Sequence, residues 1–169
     1  AGLQPYRFTK QDEQREKEWN TYTEILSVYI ERNRKNMMSS NISNKKVLDY
    51  LKKRNLDGKS IEEFNLGYVP FETRTFKNMK NQFDEKSLKD SGLFYLDERK
   101  NEYVDRFRGR LIFPIYSLTG KPIGIGGRII EDNNKLAKYV NSPETNFFKK
   151  GNNLYNLNKA RKVSNKYNE

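Results

Sequence analysis

Four arginines are the residues of this 169-residue chain whose type and spacing most directly suggest chemistry. Three lie in Asp105-Arg106-Phe107-Arg108-Gly109-Arg110, and the fourth, Arg128, follows Gly124-Ile125-Gly126-Gly127. Side chains alternate faces along a strand. Read as a strand through Ile115, the first segment puts Phe107, Leu111, Phe113 and Ile115 on one face and Arg106, Arg108 and Arg110 on the other. Leu118-Thr119-Gly120 suits a three-residue hairpin loop, with Gly120 in the left-handed position. That register sets Ser117 opposite Lys121, Phe113 opposite Ile125, Ile115 opposite Ile123 and Arg110 opposite Arg128. Like charges directly opposed cost stability, and an anion bridging them removes that cost, so the four arginines are expected to share a phosphate site. Arginine rather than lysine at all four positions suits bidentate phosphate contacts. The residues leave a second reading open, in which these arginines pair with Asp and Glu of neighbouring elements.

Composition bounds the possibilities. Lys and Arg number 33 against 22 Asp and Glu, a net charge of +11. That excess favours a polyanionic partner, although solubilising lysines produce the same balance. Hydrophobic residues at 34% and charged residues at 33% predict a modest core under a large wet surface. The sequence has no Cys and no His, which excludes disulfides, zinc sites of Cys and His, and Ser-His or Cys-His catalysis within it. No run of about 18 apolar residues crosses a membrane, and the opening Ala1-Gly2-Leu3 lacks a secretion signal's apolar stretch. A cytoplasmic setting is the resulting expectation. The glycines of 124–127 lie within a predicted strand with no helix after them, so they do not form a dinucleotide-binding turn. Small residues there let another backbone or a ligand approach closely.

The elements that must position the arginines follow from periodicity. Residues 1–8 read as an extended lead-in. A helix is expected from about Thr9 to Met38, with Trp19, Tyr22, Leu26, Tyr29 and Ile30 as its buried stripe. Ser39 to Asn44 is a polar break in which Ser43 or Asn44 can cap a short helix with Val47, Leu48 and Leu51 inward and Arg54-Asn55 at its end. Ser60 to Phe64 has the form of a capping box opening another short helix, closed by Gly67 and Pro70. Residues 71–92 suggest short helices, and Tyr103 to Ile130 suggests strands. A loop over 131–137 and a helix begun after Leu154 complete the chain. Helices first and then a small, mainly antiparallel sheet make an α+β fold.

The segments Asp105 to Arg110 with Phe113-Pro114-Ile115, Gly124 to Arg128, Lys138-Tyr139-Val140-Asn141-Ser142-Pro143-Glu144-Thr145, Phe148-Lys149-Lys150-Gly151 and Leu154-Tyr155 resemble the successive core motifs of bacterial DNA primases. Tyr50 to Leu56 and Phe64-Asn65-Leu66-Gly67-Tyr68 look like that family's helical segment. The match covers roughly residues 47–160 in the family's order. It implies that 41–160 form the N-terminal lobe of the catalytic core, that 1–40 are a lead-in and long amphipathic helix, and that 161–169 begin a connection onward. It further implies a basic surface that guides single-stranded DNA template and helps hold nucleotide triphosphates. Carried over position by position, the implicated residues are Arg54, Arg106, Arg108, Arg110, Arg128, Lys138, Tyr139, Asn141 and Lys150. Departures are Ile125 where the family usually has Phe, Asn156 where it usually has Gly, and Ser117 in place of a frequent Asp.

The resemblance places the catalytic carboxylates, and the Mg or Mn they hold, in a Toprim module beyond Glu169, and a zinc ribbon before Ala1. No catalytic or metal-binding residue is then expected in this chain, which alone should bind nucleic acid weakly and catalyse nothing. The RNA primer is an expected partner, and the replicative helicase would be met through a more C-terminal region. A non-catalytic single-strand-binding accessory module is the competing reading. If the arginines bind phosphate, Arg108→Ala and Arg110→Ala weaken nucleotide or DNA binding and leave the melting temperature nearly unchanged; lost stability with intact binding points to ion pairing instead.

Overall fold

Thr9 opens the first helix through a reciprocal cap: its hydroxyl accepts from the Asp12 amide and the Asp12 carboxylate accepts from the Thr9 amide. The computed structural model describes residues 8–39, 42–130 and 136–161. Helix α1 spans Lys10–Met38, and Tyr22, Leu26, Tyr29 and Ile30 are buried along it as the periodicity predicts. Helices α2 (Ile42–Lys53), α3 (Gly58–Glu63), α4 (Thr75–Met79) and α5 (Glu85–Asp90) are short. Strands β1 (Gly67–Val69), β4 (Arg110–Tyr116), β5 (Pro122–Ile129) and β6 (Tyr139–Asn141) make a four-stranded antiparallel sheet in the order β1-β4-β5-β6. Strands β2 (Phe94–Asp97) and β3 (Glu102–Asp105) form a separate hairpin. The fold is α+β, as the element order predicts.

Both faces of the larger sheet are covered. Val69, Ile112 and Ile125 pack with Ile25, Leu26 and Tyr29 of α1, whereas Tyr68 and Leu111 pack with Val47 and Leu51 of α2. Several local expectations change. The cap of α3 is Asp57, whose carboxylate takes the Ser60 amide at 2.8 Å, so Ser60 lies inside the helix it was expected to open. Leu48 is exposed, turned away from the core that Val47 and Leu51 enter. Gly67 does not close a helical unit but begins β1, which continues through Val69. Asn55 and Asn156 adopt left-handed φ of 56° and 64°, the conformation that ends a helix at Asn55 and that favours glycine at 156. The lead-in over 1–8, the loop over 131–137 and the chain beyond 161 fall wholly or mostly outside the described residues, whereas α2 already begins at Ile42, so Ser43 and Asn44 lie within the helix they were expected to cap.

The hairpin register holds at the loop and fails beyond it. Ser117 and Lys121 pair, and Gly120 sits at φ 82°. Between Tyr116↔Pro122 and Ile115↔Gly124 the ladder slips by one, leaving Ile123 as an extra residue in β5. The Ile123 carbonyl accepts a bond from the buried Tyr22 hydroxyl at 2.7 Å, so α1 stabilises the bulge. Phe113 therefore faces Gly126, Pro114 faces Ile125, and Arg110 faces Ile129 while Arg128 faces Leu111. A one-residue slip moves every side chain to the other face. Gly126 is needed because the Phe113 ring lies where its Cβ would be.

The second correction concerns the start of β4. Residues 106–109 form a turn rather than strand, for two physical reasons. Gly109 takes φ 72°, which L side chains avoid, and the Asp105 carboxylate accepts the Phe107 amide two residues on at 2.8 Å. Phe107 is thereby fully buried beside Tyr29 and Ile112, on the opposite face from Leu111. Asp105 is itself buried. Its Oδ1 also accepts from the Tyr29 hydroxyl at 2.8 Å, while Oδ2 makes no hydrogen bond although Thr75 lies close by. Burial pushes the carboxyl up from 3.8 to about 6, against the opposing pull of Tyr29, the Phe107 amide, Thr75 and Arg108.

Two outcomes follow. Gly126→Ala must displace the Phe113 ring and should cost on the order of 1–3 kcal/mol in urea denaturation. Because the folded-state pKa of Asp105 lies above its unfolded value, the folded chain holds this proton more tightly. Its contribution is complete below about pH 4 and disappears as pH rises through about 6, a loss of at most roughly 3 kcal/mol. Asp105→Asn cannot titrate and should flatten that part of the stability profile.

Candidate nucleic-acid interface

The pleat divides the predicted arginines. Arg110 pairs with Ile129 and Arg128 pairs with Leu111, so their side chains leave opposite faces of the β4–β5 ladder. The expected opposition of Arg110 and Arg128 does not occur, and the bulge at Ile123 is the reason. What the structure builds instead is two clusters, each around a tyrosine.

In the first, the turn after β3 brings Arg106, Arg108 and Arg110 around Tyr95 of β2. The Arg106 and Arg108 guanidinium carbons lie 5.5 and 5.9 Å from the Tyr95 ring centroid. Arg108 Nη2 donates to the Tyr95 hydroxyl at 3.0 Å, and Arg106 Nε donates to the Gly92 carbonyl at 3.0 Å. Arg110 is only 5% exposed; its Nη1 and Nη2 donate to the Arg108 and Ala137 carbonyls at 3.2 and 2.8 Å, while its buried Nε lacks a partner. Burial lowers the pKa of both Arg106 and Arg110, and Tyr95 acts the other way on each. Arg110 thus braces two backbone segments, which ties it to stability as well as to charge.

The second cluster lies on the opposite face, where α2 meets β5 and β6. Arg128 sits 5.1 Å from the Tyr139 centroid and 5.5 Å from the Tyr50 centroid, and its Nη1 donates to the Tyr139 hydroxyl. Arg54, one turn after Tyr50, also stacks on Tyr50 at 5.5 Å. Tyr139 and Asn141 alternate with Val140 along β6, so they share this face with their ladder partners Arg128 and Gly126. Both are exposed, Tyr139 at 54%. Lys138 is exposed just before β6, and Lys150 is exposed further along, its amide donating to the Glu144 carboxylate at 3.3 Å. The structure therefore joins Arg54, Arg128, Tyr139 and Asn141, separates them from the Arg106–Arg110 turn, and leaves Lys150 in neither cluster.

Among the described residues, none of these cations forms an ion pair with a carboxylate; the pairs involve Arg34, Lys35, Lys80, Lys86, Lys89, Lys149 and Lys159. Both clusters hold guanidinium charge in place without an ion pair among the described residues, a surface suited to phosphate oxygens and to bases that stack on exposed rings. Tyr50 and Tyr95 were missed by sequence reasoning. Tyr50 and Arg54 are four residues apart on one helix, a legible signal. Tyr95 meets its arginines only through the fold. Among the described residues no group of three or more His, Cys, Asp or Glu side chains is placed to hold a metal ion.

Over residues 34–161 the chain matches the family model for the DNA primase catalytic core, N-terminal domain. The DNA primase of Clostridium acetobutylicum is 44% identical over 121 residues, which cover 70% of this chain and 20% of that protein. The DNA primase of Deinococcus radiodurans is 41% identical over 117 residues, covering 68% and 20%. A solved DnaG primase catalytic domain bound to ssDNA superimposes with a TM-score of 0.75 at 29% identity, over 86% of this chain and 46% of that one. A DNA primase domain from Pseudomonas aeruginosa gives a TM-score of 0.75 at 34% identity, over 85% and 44%. The chain thus spans about a fifth of the length of these curated relatives. A basic, tyrosine-braced sheet of this topology, matched by sequence over residues 34–161, places the chain in the DNA primase family as the N-terminal domain of the catalytic core.

Proposed function

We propose that this chain serves a DNA primase by gripping the single-stranded template and the phosphates of incoming nucleotides, within a protein that synthesises short RNA primers for DNA replication. The observation that carries the reading is Arg128, set against the rings of Tyr50 and Tyr139 with Arg54 beside it and neither guanidinium ion-paired among the described residues. Bases can stack on the exposed Tyr139, Asn141 can donate and accept at a base edge or ribose, and the guanidiniums can take backbone phosphates. The solved ssDNA-bound DnaG catalytic domain of like fold supports this direction.

The chain's share in nucleotidyl transfer is positioning and charge neutralisation. The divalent ions that align a primer hydroxyl with a triphosphate would be held by carboxylates of another part of the protein. The RNA primer is a further proposed partner, and so is the replicative helicase, reached through a region outside this chain.

Anisotropy of a labelled single-stranded oligonucleotide, measured across a salt series, tests the reading. Binding should weaken with a log–log slope of about −0.7 per phosphate contacted. Arg128→Ala should cost about tenfold in affinity and make the slope shallower by about 0.7, and Tyr139→Ala should cost about tenfold with the slope unchanged. Absence of salt-dependent binding in the parent chain refutes the reading.

A further inference from the structure

We propose that Tyr95 is a positioning residue for phosphate recognition, fixing Arg106 and Arg108 as a matched pair of anion-binding forks. The proposal rests on the phosphate-gripping reading above and extends it to a residue that carries no charge.

The geometry begins with alternation on β2. Phe94 points into the core, edge-on to Tyr29 and Phe76, so the next side chain points the other way. Tyr95 is accordingly only partly buried, and two guanidiniums lie against its ring. Two cations on one ring repel each other unless something holds them. Here the electron-rich ring attracts both, the hydroxyl accepts from Arg108 Nη2, and the Gly92 carbonyl accepts from Arg106 Nε.

What remains free is chemically specific. Arg106 is tied at Nε, so its Nη1–Nη2 edge makes no hydrogen bond among the described residues. Arg108 is tied at Nη2 and keeps Nε and Nη1 without partners among them. An untethered arginine loses rotamer freedom on meeting a phosphate. These two have surrendered much of that freedom already, so a phosphate meets prealigned donors. Arg110 completes the arrangement from beneath, its Nη1 holding the Arg108 carbonyl. The ligand chemistry is two neighbouring phosphates of a single-stranded backbone.

The test uses the 169-residue chain, a labelled oligothymidylate and a sodium chloride series, with melting temperature recorded for every variant. Tyr95→Phe keeps the ring and removes the acceptor; it should weaken binding about threefold in the parent and have almost no effect in an Arg108→Ala background. Tyr95→Leu removes ring and hydroxyl; it should weaken binding about tenfold and make the salt slope shallower by about 0.7 to 1.4. Should Tyr95→Leu fail to fold, the Tyr95→Phe cycle decides alone, because loss of packing cannot make its effect depend on Arg108. The proposal is overturned if Arg106→Ala and Arg108→Ala weaken binding while both Tyr95 variants bind with the parent's affinity and slope. If the two arginine variants themselves bind as the parent does, the phosphate role of this turn fails and the proposal falls with it. Parent chain that binds no oligothymidylate removes the underlying reading altogether.

Discussion

The bond between the Tyr29 hydroxyl and the Asp105 carboxylate ties the long first helix to the turn that carries three arginines. It joins the bonds that the turn makes to β1 and to the residue just before β2, where the Gly109 amide donates to the Val69 carbonyl and the Arg106 amide to the Leu93 carbonyl. Asp105 accepts from α1 with the same oxygen that accepts the Phe107 amide, so one buried atom sets both where the turn sits and how tightly it bends. Phe107 then locks into the core beside Tyr29, and the arginines on either side of it are forced outward. The cost of burying an ionisable carboxyl falls at the turn that aims the arginines proposed to bind phosphate.

Elsewhere the same helix does comparable work. The Tyr22 hydroxyl satisfies the Ile123 carbonyl at the bulge, and that bulge decides which face of β5 carries Arg128. Two tyrosines of α1 therefore control the placement of both basic clusters, one through the turn before β4 and one through the register of β5. The sheet itself is small, and its faces are distinct because α1 covers one and α2 the other.

Much of this was legible in the sequence, and the failures have physical causes. The extent of α1 and its buried stripe, the α+β order, the hairpin loop at Leu118–Gly120 and the strand nature of 124–127 all follow from periodicity and turn chemistry. The family motifs pointed to the residues that the structure gathers at Tyr139 and Arg128. What alternation could not reveal was an Asp that bends the chain through its own side chain, followed by a glycine at positive φ; on paper Asp105 to Arg110 alternates as a strand does. Nor could it reveal the extra residue at Ile123, which depends on a tyrosine 101 positions away. Tyr95 escaped for the same reason, since nothing local links it to Arg106 and Arg108. The α3 cap was misplaced because Ser60 and Asp57 both have cap-forming side chains, and the earlier one prevails.

The guanidiniums that rest on phenol rings have no ion-paired carboxylate among the described residues. In a salt-bridged surface an arriving phosphate must first evict a carboxylate that is covalently part of the protein and cannot diffuse away. Here an arriving phosphate would displace only dissolved anions of the medium, which return to the bulk. On the proposed phosphate reading the two clusters would behave as an ion-exchange resin whose fixed charges are mounted on aromatic rings. Its selectivity would then be set partly by the buffer: chloride and weakly bound organic anions leave such sites at different free-energy cost, so the grip on a polyanion would depend on which small anion it displaces.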